Sequence, residues 1–326
     1  VGNSTVLRTV AIWLLCLMLT IAAGALAIVL VNAKVYGPQQ QVRDYIEALQ
    51  NGEGGKALGL LRASLPDANP AMLDGEALKQ SVAGLENLQL GEAVETDATH
   101  VDVPASYTIK GREHRTTFKL EKVGTNWLFF SRWSFVPSTL PTLQVQVVNE
   151  TEASLNGTRV ALPGGKGTFA AFYPGSYEAH FTSDNFAAPA VETVIDHPNG
   201  TEQLSLATAP TPKLVEKANS QIKGFLDQCA EQKVLQPAGC PFSLPLDRVQ
   251  DGTIDWDIVK YPTVSIEPFR GSWVVKPLSG TAKLKVVEID LFTGAAVPRE
   301  LEQKFDFTGQ LSVDGDDVTL TPVVSY

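Results

Sequence analysis

Cysteine and histidine are scarce in this chain, three and four in 326 residues, which leaves too few ligands for a Cys/His metal centre. The signatures of several reaction classes are missing as well. No GxSxG, SxxK or Ser/His/Asp arrangement supports nucleophilic hydrolysis, and the GxxxxGK[ST] order that aims backbone amides at phosphates is absent. Basic residues are outnumbered 26 to 36, giving a net charge of −10, and Lys and Arg are scattered without a stripe. Nucleic-acid binding needs a clustered basic footprint, so no nucleic-acid partner is expected, and no residue set calls for a cofactor.

Charge is absent altogether from residues 10–31, which read VAIWLLCLMLTIAAGALAIVLV with Cys16 and Thr20 as the polar side chains. A hydrocarbon slab about 30 Å thick demands about 20 apolar residues in helical form, with every backbone polar group paired internally. The run meets that demand, and the lipid bilayer is the expected partner of Trp13, Leu14, Leu19, Leu26 and Val29. Arg8 precedes it, Lys34 and Tyr36 follow it, and Trp13 sits near the amino-terminal boundary, where an amphipathic ring is favoured. A cleaved signal peptide competes with this reading, since Val31-Asn32-Ala33 and Ala25-Leu26-Ala27 have the small-residue pattern of cleavage sites. Signal-peptide apolar cores span about 7–15 residues, so length favours a retained anchor. Residues 1–9 then form a cytoplasmic stub, with everything beyond the span outside the cytoplasm.

The cysteines support that orientation. Cys16 lies in the apolar run, whereas Cys229 and Cys240 bracket a short loop containing Pro237 and Gly239. Such a pair is within disulfide reach, and disulfides persist in oxidising compartments. Closing so short a loop is worth roughly 2–3 kcal/mol by chain entropy.

Beyond the span, hydrophobic periodicity divides the chain into an α+β multidomain plan. Residues 39–136 open with QQVRDYIEALQNGEGGKALGLL, where Val42, Tyr45, Ile46 and Leu49 recur at helical spacing and Asn51-Gly52 ends the helix. A second helix is expected over 55–62, with Ala57, Leu58 and Leu61 inward, and a third over Gly75–Val82. Alternation then takes over in HVDVPASYTIKG, EHRTTFKLEKVG and NWLFFSRWSF, three strands of an antiparallel meander wrapping the helices. Its inner face, Val101, Val103, Tyr107, Ile109, Phe118, Leu120, Leu128 and Phe130, is almost entirely apolar. This order of elements resembles the cone-shaped NTF2-like domains of bacterial envelope proteins.

Residues 141–206 have a different grammar. TLQVQVVN, TEASLNGTRVAL, GTFAAFYPGSYEAHFTS and TEQLSLAT are short alternating segments broken by Asn156-Gly157, Gly164-Gly165 and Pro174-Gly175, as in a small all-β sandwich. The sequence of strand, Leu-Asn-Gly, strand, Pro-Gly-Ser-Tyr resembles PEGA-type modules, in which Tyr177 would begin an inward-facing strand. Residues 207–212, with two prolines in ATAPTPK, read as a linker. Residues 213–326 return to helix-then-strands: Leu214, Ala218, Ile222, Phe225, Leu226 and Cys229 share one helical face, and YPTVSIEP, GSWVVKP, SGTAKLKVVEIDLF, RELEQKFDFTGQLSV and DDVTLTPVVSY follow as strands. This last part reads as a second NTF2-like or a cystatin-like unit.

The whole layout, an anchor followed by small ectodomains with a CPF disulfide loop, resembles the TcaA and YvbJ-type single-pass envelope proteins of Gram-positive bacteria, with an actinobacterial flavour. Those families usually carry a zinc ribbon before the anchor, and here no cysteine precedes Cys16. The resemblance implies a sensing or structural role with a cell-wall polymer or membrane proteins as partners, and carries over no catalytic residues.

Each remaining candidate for chemistry has a plainer reading. PGGKG, residues 163–167, lies between two strands and reads as a hairpin turn. Asp314-Gly315-Asp316-Asp317 lacks the ligand spacing of an EF-hand and reads as a hairpin tip. His100, His114, His180 and His197 show no ligand spacing, and Glu113-His114 sits between Arg112 and Arg115 on a solvated edge. Asp255, Asp257 and Glu267 around Trp256 suggest a sugar site, against an exposed loop with one buried ring. Asn149, Asn156 and Asn199 open Asn-x-Thr sequons, of consequence only in a eukaryotic secretory cell. The expected function is a non-catalytic envelope protein, with a cone-pocket enzyme or small-ligand binder as the alternative.

Overall fold

With no proline before Pro38 to interrupt it, the apolar run continues as one helix, α1 (Asn3–Lys34). In the computed structural model, which describes residues 3–34, 36–126, 130–315 and 317–324, the segment Arg8–Ile28 is long and apolar enough to cross a membrane, and none of its residues is buried. Trp13, Leu14, Leu19 and Leu26 are exposed, while the side chain of Val29 lies outside the described residues. Thr20 donates its hydroxyl to the Leu17 carbonyl at 2.8 Å, so that polar group is satisfied within the helix. The rest of the chain is mixed α and β, mostly sheet.

The chain divides into two units. One holds the residues up to Gln146 with Ser154–Ala179 and Val191–Ser205, and the other holds Val147–Ala153, His180–Ala190 and everything from Leu206 onward.

In the first unit, α2 (Pro38–Gln50) starts on a proline at its first turn and buries Val42, Tyr45, Ile46, Ala48 and Leu49. Pro38 costs nothing there because the first helical amides have no intrahelical partner anyway. The chain turns at Gly52, whose φ of 70° suits glycine, into α3 (Gly54–Leu61). This helix starts one residue earlier than its pattern suggests. Gly54 donates its N–H to Asp74 Oδ1 at 3.0 Å, and a Cβ there would lie 1.7 Å from the Leu73 carbonyl oxygen. α4 (Gly75–Val82) buries Ala77, Leu78 and Val82.

An antiparallel sheet follows in the order Leu85–Leu90, His100–Ile109, Arg112–Asn126, Phe130–Phe135, with Val94–Glu95 also paired to His100–Ile109. Leu85–Leu90 and Val94–Glu95 escape sequence reading because neither alternates cleanly between buried and exposed positions. Val101, Val103, Tyr107, Ile109, Phe118 and Leu120 are buried and Phe130 is half-buried; Leu128 lies outside the described residues.

Aromatic rings fill the space the helices and sheet enclose. Tyr45 of α2 packs edge-on to Phe118 and Phe135, with centroids 6.0 and 5.5 Å away, and lies 6.5 Å from Tyr173. Tyr173 comes from the following β-rich segment, so residues 39–136 and part of 141–206 share a core. Backbone pairing reinforces this: Ala63–Ser64 pairs in parallel with Ser138–Thr139. Asn69 donates to Thr168 O and accepts from Ala170 N, both at 2.9 Å.

The middle segment contains the strands Thr142–Val147, Glu152–Leu155, Thr158–Ala161, Lys166–Ala170, Gly175–Thr182, Phe186–Ile195 and Thr201–Leu206. Asn156 and Gly157, both at positive φ (45° and 75°), make the tight hairpin that Asn-Gly favours. PGGKG is not a hairpin turn: it forms a one-turn 3-10 helix, Pro163–Gly165, between strands of different sheets. Thr158–Ala161 lies beside Glu152–Leu155, whereas Lys166–Ala170 pairs with Thr142–Val147. The strand Phe186–Ile195 was hidden by Pro189, which lacks a ladder donor and argues against a strand in sequence; here Pro189 is exposed.

In the second unit, the proline-rich stretch read as a linker is fixed in place. Ala209–Pro210 is a short strand antiparallel to Phe186–Ala187, and Thr211 donates its N–H to Asn185 O at 2.9 Å. Thr211 also caps α5 (Pro212–Ala230), its hydroxyl oxygen accepting from Leu214 N at 3.3 Å. α5 buries Leu214, Ala218, Ile222, Leu226 and Cys229 against a four-stranded sheet ordered Asp255–Lys260, Leu278–Ile289, Ala296–Asp314, Asp317–Val323. Gln221 bonds the last strand like a ladder partner, Nε2 donating to Val318 O at 2.7 Å and Oε1 accepting from Leu320 N at 2.6 Å. Asp255–Lys260 is a strand, not an exposed loop: Trp256 and Ile258 point inward and Asp255 and Asp257 outward.

Candidate functional site

Three places combine exposure with chemistry. The first is α1 itself, described above.

The second is a cleft of about 590 Å³ in the first unit, lined by Ile109, Lys110, Arg112, His114, Glu192, Thr193 and Val194. Its geometry comes from the tight turn between His100–Ile109 and Arg112–Asn126, where Lys110 takes φ 47° and Gly111 φ 77°. That turn carries the Lys110 ammonium between two carboxylates, 3.0 Å from Glu178 and 2.7 Å from Glu192. Burial acts to raise the Glu192 pKa, but hydrogen bonds from Lys110 and Ser176 outweigh it and hold the carboxyl below its usual range. Arg112, two residues on, has no salt bridge among the described residues.

Behind the cleft the fold gathers residues that are far apart in sequence. His114 Nδ1 lies 3.4 Å from Asp196 Oδ2, and His197 Nδ1 lies 2.9 Å from Asp196 Oδ1. Thr116 donates its hydroxyl to the Asp196 carbonyl oxygen, and Tyr107 OH is 2.7 Å from Thr116 Oγ1. Burial, opposed by the Thr116 hydrogen bond, pushes the Tyr107 phenol up to about 12. A carboxylate orienting an imidazole is half of a general-base arrangement. No activated nucleophile accompanies it among the described residues: Thr116 is buried and its hydroxyl engaged, and Tyr107 holds its proton. The juxtaposition escaped sequence reading because Asp196 is 82 residues from His114, with no spacing rule linking them.

The remaining predicted residues are dispersed. His100 lies 2.9 Å from Asp97 Oδ2 and 3.8 Å from Glu121 Oε2, on the opposite end of the same sheet, and His180 is half-buried in Gly175–Thr182. No group of three or more His, Cys, Asp and Glu side chains is placed to hold a metal ion among the described residues. Asp314 and Asp317 face each other across a hairpin tip at Gly315. Trp256 is buried, its Nε1 donating to Val234 O at 2.9 Å and its ring 4.8 Å from Phe242. That contact lies beside the Cys229–Cys240 disulfide, whose Cα atoms are 5.7 Å apart. Of the sequon asparagines, Asn156 is buried, and Asn149 donates its side-chain N–H to Ser272 O at 2.9 Å.

The third place is the turn between Leu278–Ile289 and Ala296–Asp314. Beside it is a notch of about 250 Å³ lined by Asp247, Arg248, Glu288, Asp290, Phe292, Arg299 and their apolar neighbours. Phe292 at its tip is 98% exposed.

No family model, curated protein or solved structure matches this chain.

Proposed function

We propose that this chain is a non-catalytic, single-pass envelope protein that holds a binding or scaffold body outside the cytoplasm. On this reading α1 is the anchor, with its carboxy-terminal side facing the exterior. The NTF2-like and PEGA-like modules form the body, and the partners are a wall polymer or membrane proteins, in the manner of TcaA and YvbJ-type proteins. The observation that carries it is Arg8–Ile28: 21 residues, apolar, and none of them buried. A helix of that kind costs far more in water than in a bilayer, at about 0.8 kcal/mol per exposed CH₂. The Cys229–Cys240 disulfide supports an oxidising location for the body. The rings of Tyr45, Phe118, Phe135 and Tyr173 occupy the interior where a cone-pocket ligand would sit, which favours this reading over a cone-pocket enzyme.

Fractionation and labelling test it together. The chain should stay in the membrane pellet through alkaline carbonate, and a membrane-impermeant maleimide on intact cells should label a thiol introduced by Glu302→Cys, an exposed position, in a Cys16→Ser background. Release by carbonate, or a thiol at position 302 labelled only after the cells are opened, would count against the proposal. So would removal of the body without effect on envelope integrity, wall-drug tolerance or co-purifying partners.

A further inference from the structure

We infer that the turn between Leu278–Ile289 and Ala296–Asp314 is a membrane-touching tip that places Phe292 and Leu291 in the interfacial layer of a lipid bilayer. This rests on the reading of α1 as a bilayer anchor, which brings a membrane within reach of the same chain.

The tip's composition is set apart from the other tight turns described in this chain. Those turns present Lys110-Gly111, Asn156-Gly157, Asn199-Gly200, Arg270-Gly271 and Asp314-Gly315 at their apices, all polar, and the exposed ring flanking one of them, Phe269, is covered by the Arg270 guanidinium at 5.1 Å. Here the most projecting side chains are Leu291 and Phe292, 60% and 98% exposed, with Ile289 and Val297 partly exposed at their base. Isolated exposed apolar residues are ordinary; a contiguous set at the apex of a hairpin is not.

Hydrogen bonds also brace the tip. Asp290 Oδ1 accepts from Phe292 N at 3.0 Å, Thr293 N at 2.8 Å and the Thr293 hydroxyl at 2.8 Å. Asp290 N donates to Ala295 O, and Gly294 N to Asp290 O, both at 2.9 Å. Below the turn, antiparallel pairing runs unbroken from Ile289↔Ala296 to Leu278↔Phe307. The Phe292 ring is therefore held outward by its backbone rather than left free to fold back.

Area decides the occupant. A phenylalanine buries on the order of 200 Å², so this tip falls well short of the ~800 Å² each partner contributes to a stable protein complex. A bilayer requires no shaped counterpart, and an anchored chain meets it at high local concentration. Of the acidic groups lining the notch, Asp290 is engaged within the turn and Glu288 with Arg299 at 2.9 Å, while Asp247, next to Arg248, is in no salt bridge among the described residues. Arg248 likewise has no salt bridge among the described residues, so the pair leaves the base of the tip without net charge to repel a bilayer.

The experiment uses the full chain in phosphatidylcholine vesicles, with a nitroxide attached through Phe292→Cys in a Cys16→Ser background. Phe292 touches no core, so the substitution leaves folding alone. The ratio of oxygen to nickel-chelate collision rates should be several-fold higher at position 292 than for a nitroxide attached through Glu302→Cys in the same background. Equal, water-like ratios would overturn the inference, as would a label at 292 shielded from both agents, which signals a protein partner. The same nitroxide on Cys16 of the unmodified chain reports the anchor. A lipid-like ratio at 16 with a water-like ratio at 292 sinks the tip alone, and a water-like ratio at 16 sinks the anchor reading.

Discussion

The phenol of Tyr45, fully buried in α2, donates a 2.6 Å hydrogen bond to the main-chain carbonyl of Tyr173, 128 residues away. One side chain thus belongs to the helix-and-meander portion of the first unit, and its acceptor to the β-rich portion that follows. Replacing Tyr45 with Phe keeps the ring contacts and strands a buried carbonyl, at a cost of about 1–2 kcal/mol. Replacing it with Ala also opens a cavity among Phe118, Phe135 and Tyr173, for a total of about 3–5 kcal/mol. Thermal unfolding in detergent should rank the two in that order.

The same cluster makes stability sensitive to alkali. Burial chiefly raises the phenol pKa of Tyr45, Tyr107, Tyr173 and Tyr177 above 10.0, Tyr107 and Tyr173 to about 12. In the unfolded chain these phenols release protons from about pH 10. Their contribution is therefore intact below about pH 10 and is lost as pH rises through the folded-state values. Urea midpoints measured from pH 8 to 11.5 should fall increasingly steeply above 10, and Tyr45→Phe should make the decline shallower.

Two adjacent glycines should respond oppositely to alanine. At Gly54 a Cβ would collide with the Leu73 carbonyl at 1.7 Å, backbone that has nowhere to go, whereas at Gly55 it would meet nothing within 4 Å. Gly54→Ala is expected to destabilise by roughly 3 kcal/mol or more, beyond ordinary overpacking. Gly55→Ala, in a helical position with open space, is expected to stabilise by about 0.5–1 kcal/mol. Equal effects in parallel melts would contradict the approach of α3 to Leu73.

Asn156 joins turn geometry to packing. At φ 45° it accepts from Glu178 N at 2.8 Å and donates to Ser176 O at 3.3 Å. Asn156→Ala loses both bonds and keeps the left-handed backbone, for about 2–3 kcal/mol. Asn199→Ala, an exposed turn at φ 65°, should cost only the backbone strain, about 1 kcal/mol. Chemical denaturation of the two variants side by side checks the difference.

Reducing Cys229–Cys240, which are 11 residues apart, should lower stability by about 3 kcal/mol on the loop-entropy model. Because Trp256 packs on Phe242 next to Cys240, the loss should appear as a shift in tryptophan emission at lower denaturant than in the oxidised chain.

Strong local periodicity was legible in the sequence. The faces of α2 and α5, the long alternating strands and the Asn156-Gly157 hairpin all announce themselves through spacing or a turn dipeptide. The disulfide was legible because two cysteines close together leave few alternatives. What stayed hidden depended on partners distant in the chain. Phe186–Ile195 forms despite Pro189, Asp255–Lys260 has too few apolar positions to alternate visibly, and PGGKG looks the same whether it joins paired strands or strands of different sheets. The gathering of His114, Thr116 and Tyr107 around Asp196 is a product of sheet register, which no local pattern encodes. The Phe292 tip lay within a segment read as strand to its end, so its projection emerged only with the turn.

Thr211 is bound to Asn185 through its N–H and to the Asp184 carbonyl through its hydroxyl, the latter at 2.7 Å, while its oxygen also closes the first turn of α5. A stretch rich in Pro and Thr that composition marks as slack is in fact a rivet. A protease should find no purchase between Ala207 and Lys213, and a recombinant fragment begun at Lys213 would start by tearing the cap from its own first helix.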